Sequence, residues 1–348
     1  MSAEVIAATP APKAAKDYAS DQEVRWCPGC GDYAILKAVQ KTLADFQADT
    51  AKTVFISGIG CAARFPYYMS TYGFHTIHGR APAFATGVKL TNPELDVWVV
   101  SGDGDALSIG GNHLLHVLRR NVDLQLLLFN NEIYGLTKGQ YSPTSRVGTR
   151  SPSTPGGSLD TPVSAGNFAL GAGARFFARS VDTQQKHLPE VLKRAREHRG
   201  TSLVEIFQNC IVYNDGAFGD FTERSVAADR QILLEHGKPM IFGKDADKGL
   251  RLAPRTAQGG KLALEVVTLG ENGITEADLL VHDETDRAMA GLLAALQPPQ
   301  MPVALGVLFC DPAPSYEASV TGEVDAAKHS HPANLAELLH KGHTWTVS

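Results

Sequence analysis

Cys27 and Cys30 stand three positions apart in WCPGCG, in a chain of 348 residues that holds five cysteines. Thiols at this spacing can close a disulfide, hold zinc or bind an iron–sulfur centre. Two more lie apart in sequence: Cys61 in GIGCAARFP, and Cys210 just after the apolar run SLVEIF. A thioredoxin-like pair would come with other redox signals, which are absent, and structural zinc usually uses two paired knuckles. Four thiolates from three segments suit a [4Fe–4S] cluster better, while spacing alone leaves zinc open. Cys310 closes the apolar run LGVLFC and reads as a buried free thiol.

A second set of residues has the chemistry of a phosphate and cation site. Gly102, Asp103, Gly104 and Asp105 follow the apolar run DVWVV. Glycines there let a phosphate approach the backbone, and a following helix would offer its amide N–H groups and positive dipole end. A bare tight turn with Asp105 as helix N-cap is the plain alternative. The next apolar run ends in NNEIYGLTKGQ, which puts Asn131 28 residues after Asp103. In a βαβ unit that separation brings two strand ends side by side. Asp103, Asn131 and the carbonyl of Ile133 are then three candidate ligands for one Mg²⁺. Thiamine diphosphate enzymes use such a pair, a GDG followed at about this distance by Asn.

These motifs need a scaffold, and the hydrophobic pattern supplies one. Ile35, Leu36, Val39, Leu43 and Phe46 fall at helical spacing after Asp32, a plausible N-cap. TVFISG (53–58), DVWVV (96–100), LQLLLF (124–129) and SLVEIF (202–207) read as buried strands, with helices between 105 and 121 and around 185–198. Buried strands alternating with helices predict a parallel sheet covered on its faces. Residues 135–166 are rich in Gly, Ser, Thr, Pro and Arg, and are expected to form a functional loop. Beyond about 220 the pattern weakens to helices near 276–296 and a strand at 303–309. No repeat and no separate second domain stands out.

Bulk properties narrow the class. Hydrophobic residues at 43% and charged residues at 20% describe a globular protein, and a net charge of -5 with no long basic run argues against nucleic acid as its main partner. No apolar run approaches the roughly 18 residues of a membrane span. The Ala- and Pro-rich start lacks the pattern of a signal peptide and reads as a flexible arm, so a cytoplasmic location is expected.

Taken together, WCPGCGDYAILKA, GIGCAARFP, HTIHGRAPAFATGVKL, VVSGDGDALSIGGNH and NNEIYGLTKGQYSPT resemble the β subunit of the 2-oxoacid:ferredoxin oxidoreductases. The likeness runs from about residue 24 to 220. EHGKPMIFGKDADKGLR and LEVVTLGENGITEADLLVHDE extend it, toward the 2-oxoglutarate type in particular. It implies an α/β thiamine diphosphate-binding fold, a mostly parallel sheet flanked by helices, plus a C-terminal extension. The expected division is an arm over 1–20, a cofactor- and cluster-binding domain over 21–225, and an extension over 226–348 packed on that domain or on a partner.

The resemblance also implies roles for residues. Cys27, Cys30, Cys61 and Cys210 would ligate one [4Fe–4S] cluster; Asp103, Asn131 and the Ile133 carbonyl would hold Mg²⁺ on the diphosphate. Gly102, Gly104, Asp105, Gly135, Leu136 and Thr137 would line the cofactor, with Gly60, Cys61, His78, Gly79 and Arg80 completing its wall. Arg64 would face the substrate carboxylate, with a surface arginine as the alternative. The implied reaction is oxidative decarboxylation of a 2-oxoacid with coenzyme A to acyl-CoA and CO₂, its electrons leaving through the cluster to ferredoxin. An α subunit, in an α2β2 assembly, would supply the carboxylate that activates thiamine. Other readings are pyruvate or broad 2-oxoacid specificity, a decarboxylase subunit with a four-cysteine zinc site, and a non-catalytic electron-transfer subunit.

Overall fold

The computed structural model describes residues 11–253, 262–330 and 334–347. Its centre is an eight-stranded sheet in the order β2-β1-β3-β4-β8-β7-β13-β9. The first six of these pair in parallel: β2 (Tyr72–His75), β1 (Thr53–Ser57), β3 (Asp96–Gly102), β4 (Leu124–Asn130), β8 (Thr201–Phe207) and β7 (Phe176–Val181). β13 (Val303–Cys310) then runs antiparallel to β7 and is paired in parallel by β9 (Gln231–Leu233). Two small sheets lie outside it: the pair β5 (Ile133–Tyr134) and β6 (Gln140–Tyr141), and a three-stranded sheet of β10 (Ile241–Phe242), β11 (Lys248–Leu252) and β12 (Leu264–Thr268).

Each buried strand sends alternate side chains to opposite faces, so two cores form. On one face Val54, Ile56, Val97, Val99, Leu126 and Leu128 pack with residues of α2 (Ala81–Thr91), α3 (Gly111–Arg120), α4 (Ala165–Gly171) and α8 (Arg287–Ala294). On the other, Phe55, Trp98, Val100, Leu127 and Phe129 meet α1 (Asp32–Asp45) and α5 (His187–Glu197). Two single-turn helices, α6 (Gly219–Thr222) and α7 (Ala227–Arg230), lead into β9. The C-terminal α9 (Tyr316–Ser330) and α10 (Leu335–His340) are largely exposed.

Several expectations meet a different local arrangement. Residues 11–20 of the predicted arm are anchored, since Tyr18 is fully buried and its hydroxyl donates to the Ala48 carbonyl at 2.8 Å; residues 1–10 lie outside the described residues. Residues beyond 225 give two strands to the central sheet, because the apolar run at 303–310 finds an open edge beside β7. Asp32 is no N-cap: it is the first residue of α1 and is buried, and Gly31 holds the cap position. No regular helix follows GDGD directly either. A wider π-type turn spans Asp105–Ile109, and α3 starts only at Gly111.

Candidate active site

In an open α/β sheet, ligands sit beyond the carboxyl ends of the strands. Four adjacent strands, β1, β3, β4 and β8, deliver Gly58–Cys61, Gly102–Asp105, Asn130–Ile133 and Gln208–Cys210 to one such edge. A cavity of about 90 Å³ opens there, lined by Gly60, Cys61, His78, Gly102, Asp103, Gly104, Asp105, Asn131, Ile133, Gly135, Leu136 and Thr137. Gly60 holds φ at +129° with open space where a Cβ would sit, a backbone shape that other residues rarely adopt. A Cβ on Gly104 would stand 2.2 Å from the Tyr134 ring, whose hydroxyl donates to the Gly104 carbonyl at 2.9 Å.

The two aspartates of GDGD do different work. Asp105 is a clasp: its Oδ1 accepts from the backbone N–H of Gly79 at 2.7 Å and of Ile59 at 3.2 Å, and pairs with His78 Nδ1, while its Oδ2 accepts from Ser101 at 2.6 Å. It thereby ties the turns after β1, β2 and β3 together. Asp103 is 2% exposed and faces no cationic side chain among the described residues. Burial pushes its carboxyl above the usual range, opposed by hydrogen bonds from Ser142 and Thr144. Thr144 reaches it at 2.6 Å from the 135–166 loop, which folds back over the strand ends. A buried carboxylate without a cation, beside an asparagine amide, fits a divalent ion that is bridged to phosphate.

Asn131 Oδ1 accepts from the Ile133 N–H at 3.2 Å, and its Nδ2 donates to Gln208 Oε1 at 2.8 Å. Gly79 and Arg80 do not line the cavity. The Gly79 N–H turns to Asp105, and Arg80 points its guanidinium to the Ile109 carbonyl at 3.5 Å. Arg64 lies outside this cavity too. It borders an open cleft of about 520 Å³, with Arg25, Tyr67, Tyr68 and His75, and also a second cavity.

That second cavity, about 200 Å³, is lined by Cys27, Cys30, Cys61 and Cys210 together. It shares Cys61, Asn131, Gly135 and Leu136 with the first, so the two are neighbours across one wall. A Cβ on Gly135 would lie 3.5 Å from Cys210 Sγ and 3.7 Å from Cys61 Sγ. Trp26 fastens two of the cysteine segments, its indole N–H donating to the Cys61 carbonyl at 2.7 Å. Burial pushes the Cys61 thiol up to about 11 and the Cys30 thiol well above its ordinary range. Beneath them, burial and the Asp182 charge raise the Asp32 carboxyl to about 7. Among the described residues no group of three or more His, Cys, Asp or Glu side chains is arranged to hold a single metal ion. Four thiols lining one cavity are the ligand set that a [4Fe–4S] cluster or a four-cysteine zinc site would need. Cys310 ends β13, with its sulfur 3.8 Å from His198 Nδ1.

Sequence reasoning passed over Gln208, Thr144, Ser101, Tyr134 and the anchoring role of Trp26. No spacing rule marks them; the sheet order brings them to the site. Residues 58–206 match the thiamine pyrophosphate enzyme C-terminal TPP-binding domain. The 2-oxoglutarate oxidoreductase subunit KorB of Mycobacterium tuberculosis is 48% identical over 98% of this chain and 91% of its own length. A 2-oxoacid:ferredoxin oxidoreductase β subunit of Aeropyrum pernix is 48% identical over 55% of this chain and 60% of its own. A solved 2-oxoglutarate:ferredoxin oxidoreductase of Magnetococcus marinus, with 2-oxoglutarate, coenzyme A and succinyl-CoA bound, superposes with a TM-score of 0.74 at 31% identity, covering 94% of each chain. The chain belongs to the family of 2-oxoacid:ferredoxin oxidoreductase β subunits.

Proposed function

We propose that this chain is the thiamine diphosphate- and cluster-binding subunit of a 2-oxoglutarate:ferredoxin oxidoreductase that converts 2-oxoglutarate and coenzyme A to succinyl-CoA and CO₂. The observation that carries the reading is the shared wall between the cavity at Asp103 and Asn131 and the four-thiol cavity. Asp103, Asn131 and the Ile133 carbonyl would hold Mg²⁺ on the diphosphate. Cys27, Cys30, Cys61 and Cys210 would hold one [4Fe–4S] cluster. When bound, thiamine diphosphate supplies the carbanion chemistry and the cluster accepts electrons one at a time.

The chain's own residues orient and seal. Thr144 keeps the Asp103 carboxylate fixed for the cation. Asp105 holds the His78 ring and the two flanking turns in place, which fixes the cavity's shape before any ligand enters. Gly135, with no side chain, keeps cofactor and thiols in close approach. Arg64, between the open cleft and the thiols, would meet a substrate carboxylate.

The carboxylates lining the cofactor cavity are Asp103, assigned to the cation, and Asp105, held by His78, Ser101 and two backbone N–H groups, so the carboxylate that activates thiamine is assigned to an α subunit in an α2β2 complex. A partner face is at hand beside the cavity. Edge strand β2 is exposed along its length, and Tyr72, Phe74, Ile77 and Phe84 are all more than 40% exposed around it. Ferredoxin would take the electrons. Among the described residues no helix is long and apolar enough to cross a membrane.

The test is reduction of ferredoxin by the anaerobically prepared α/β complex with coenzyme A and a panel of 2-oxoacids. Turnover with 2-oxoglutarate well above pyruvate is expected. Preference for pyruvate would move the substrate to the broader reading, and no turnover with any 2-oxoacid would sink the proposal.

A further inference from the structure

Gln208, immediately after β8, is 1% exposed, and its side-chain amide joins the two cavities. Nε2 donates to Cys30 Sγ at 3.3 Å and to the Asn209 carbonyl at 2.6 Å. Oε1 accepts from Asn131 Nδ2 at 2.8 Å. Both amide hydrogens and the oxygen are therefore committed.

An amide has a direction, and this one is set by its neighbours. A ligating thiolate accepts hydrogen bonds, so the nitrogen end of Gln208 must face Cys30. Its oxygen end then faces Asn131, and this fixes the nitrogen of that amide in turn. Asn131 Oδ1 is left on the other side, where it takes one N–H from Ile133 and keeps a lone pair. Reversing Gln208 would set oxygen against sulfur and NH₂ against NH₂.

We infer that Gln208 is a positioning residue that couples the two centres, holding Asn131 with its oxygen toward the cation and giving Cys30 an N–H···S bond. This rests on the proposed roles of Cys30 and Asn131. A cation on Asn131 Oδ1 polarises that amide, which strengthens the next hydrogen bond and then the bond to sulfur. An N–H···S bond favours the more negative, reduced cluster and raises its potential. Loading Mg²⁺ with thiamine diphosphate therefore shifts the cluster potential upward, and cluster reduction tightens cofactor binding by the same factor.

The experiment uses the anaerobic α/β complex with Gln208→Met, which removes donor and acceptor at similar length, and Gln208→Glu, which keeps an oxygen for Asn131 but loses the N–H to sulfur. Iron and sulfide content, the Mg²⁺ dissociation constant in the presence of thiamine diphosphate, and the cluster potential with and without Mg²⁺–thiamine diphosphate are measured. Gln208→Met is expected to weaken Mg²⁺ binding about tenfold or more, the usual scale for a partner behind a metal ligand. Gln208→Glu should hold Mg²⁺ more tightly than Gln208→Met does. Both variants should have a lower potential than wild type, and neither should show the shift on cofactor loading.

The inference is overturned if the wild-type potential ignores cofactor loading, or if the variants retain the wild-type shift. It also falls if Gln208→Met leaves the Mg²⁺ constant unchanged. Should Gln208→Met lose its iron, Gln208→Glu carries the potential measurement; loss of iron from both would make Gln208 a structural support and overturn the coupling. A wild-type complex without iron, or without bound cofactor, would instead sink the underlying assignment of the two centres, before any variant is compared.

Discussion

At the scale of single residues, the site separates a carboxylate that waits for a cation from one already used up. Asp103 is buried with only hydroxyl and backbone hydrogen bonds around it, so its substitution should act on the cation and on little else. Asp103→Ala is expected to abolish Mg²⁺-dependent retention of thiamine diphosphate, measured by calorimetry, while iron content stays at the wild-type level. Cys310→Ser, in β13, is the matching control and should change neither. Loss of iron from either variant would show that the metal sites are wrongly partitioned. The chemistry-bearing residues were legible because motif glycines, aspartates and cysteines sit at the ends of apolar runs whose length marks them as strands. Gln208 was not, because its partners Cys30 and Asn131 lie 178 and 77 positions away.

At the scale of elements, turns do what a helix terminus was expected to do. The π-type turn over Asp105–Ile109 keeps Asp105 beneath the site, where it gathers three strand-end turns. Asp105→Ala leaves the buried Gly79 N–H, the half-buried Ile59 N–H, His78 and the Ser101 hydroxyl without their acceptor, a loss of roughly 2–4 kcal/mol. A lower Tm and weaker cofactor binding together are expected; a wild-type Tm would show that the clasp is dispensable. β1, β3 and β4 were readable as apolar runs of strand length, and β8 as SLVEIF because apolar residues flank Glu205 on both sides. β7, FFARSV, was hidden by Arg179, a charge in the middle of a buried strand. Its guanidinium pairs with Glu205 of β8 at 2.6 Å, and such cross-strand neutralisation has no trace in local sequence. β13 was readable as a strand, but its antiparallel place beside β7 was not, because pairing is decided by which sheet edge is left open.

At the scale of the whole molecule, four histidines are held below their ordinary pKa by burial: His113, His187, His198 and His282. His187, bonded to Ser180 at 2.9 Å, is pushed down to about 4. The unfolded chain takes up that proton near pH 6.5, so between about 6.5 and 4 it binds more protons than the folded one, and stability falls as pH falls. The Asp32 carboxyl, raised to about 7, acts in the opposite sense over the same window, so the histidine is read from the difference. Wild type should lose stability relative to His187→Asn in urea between pH 7 and pH 5; an unchanged difference would mean the ring titrates normally. The most direct measurement for the molecule as a whole is electron paramagnetic resonance on the anaerobic α/β complex as 2-oxoglutarate is added. About four irons per chain, and a reduced-cluster signal that appears with 2-oxoglutarate, Mg²⁺ and thiamine diphosphate and is missing in Asp103→Ala, is the predicted result. Zinc in place of iron, or a cluster that stays oxidised with every 2-oxoacid while the cofactor is bound, would contradict it.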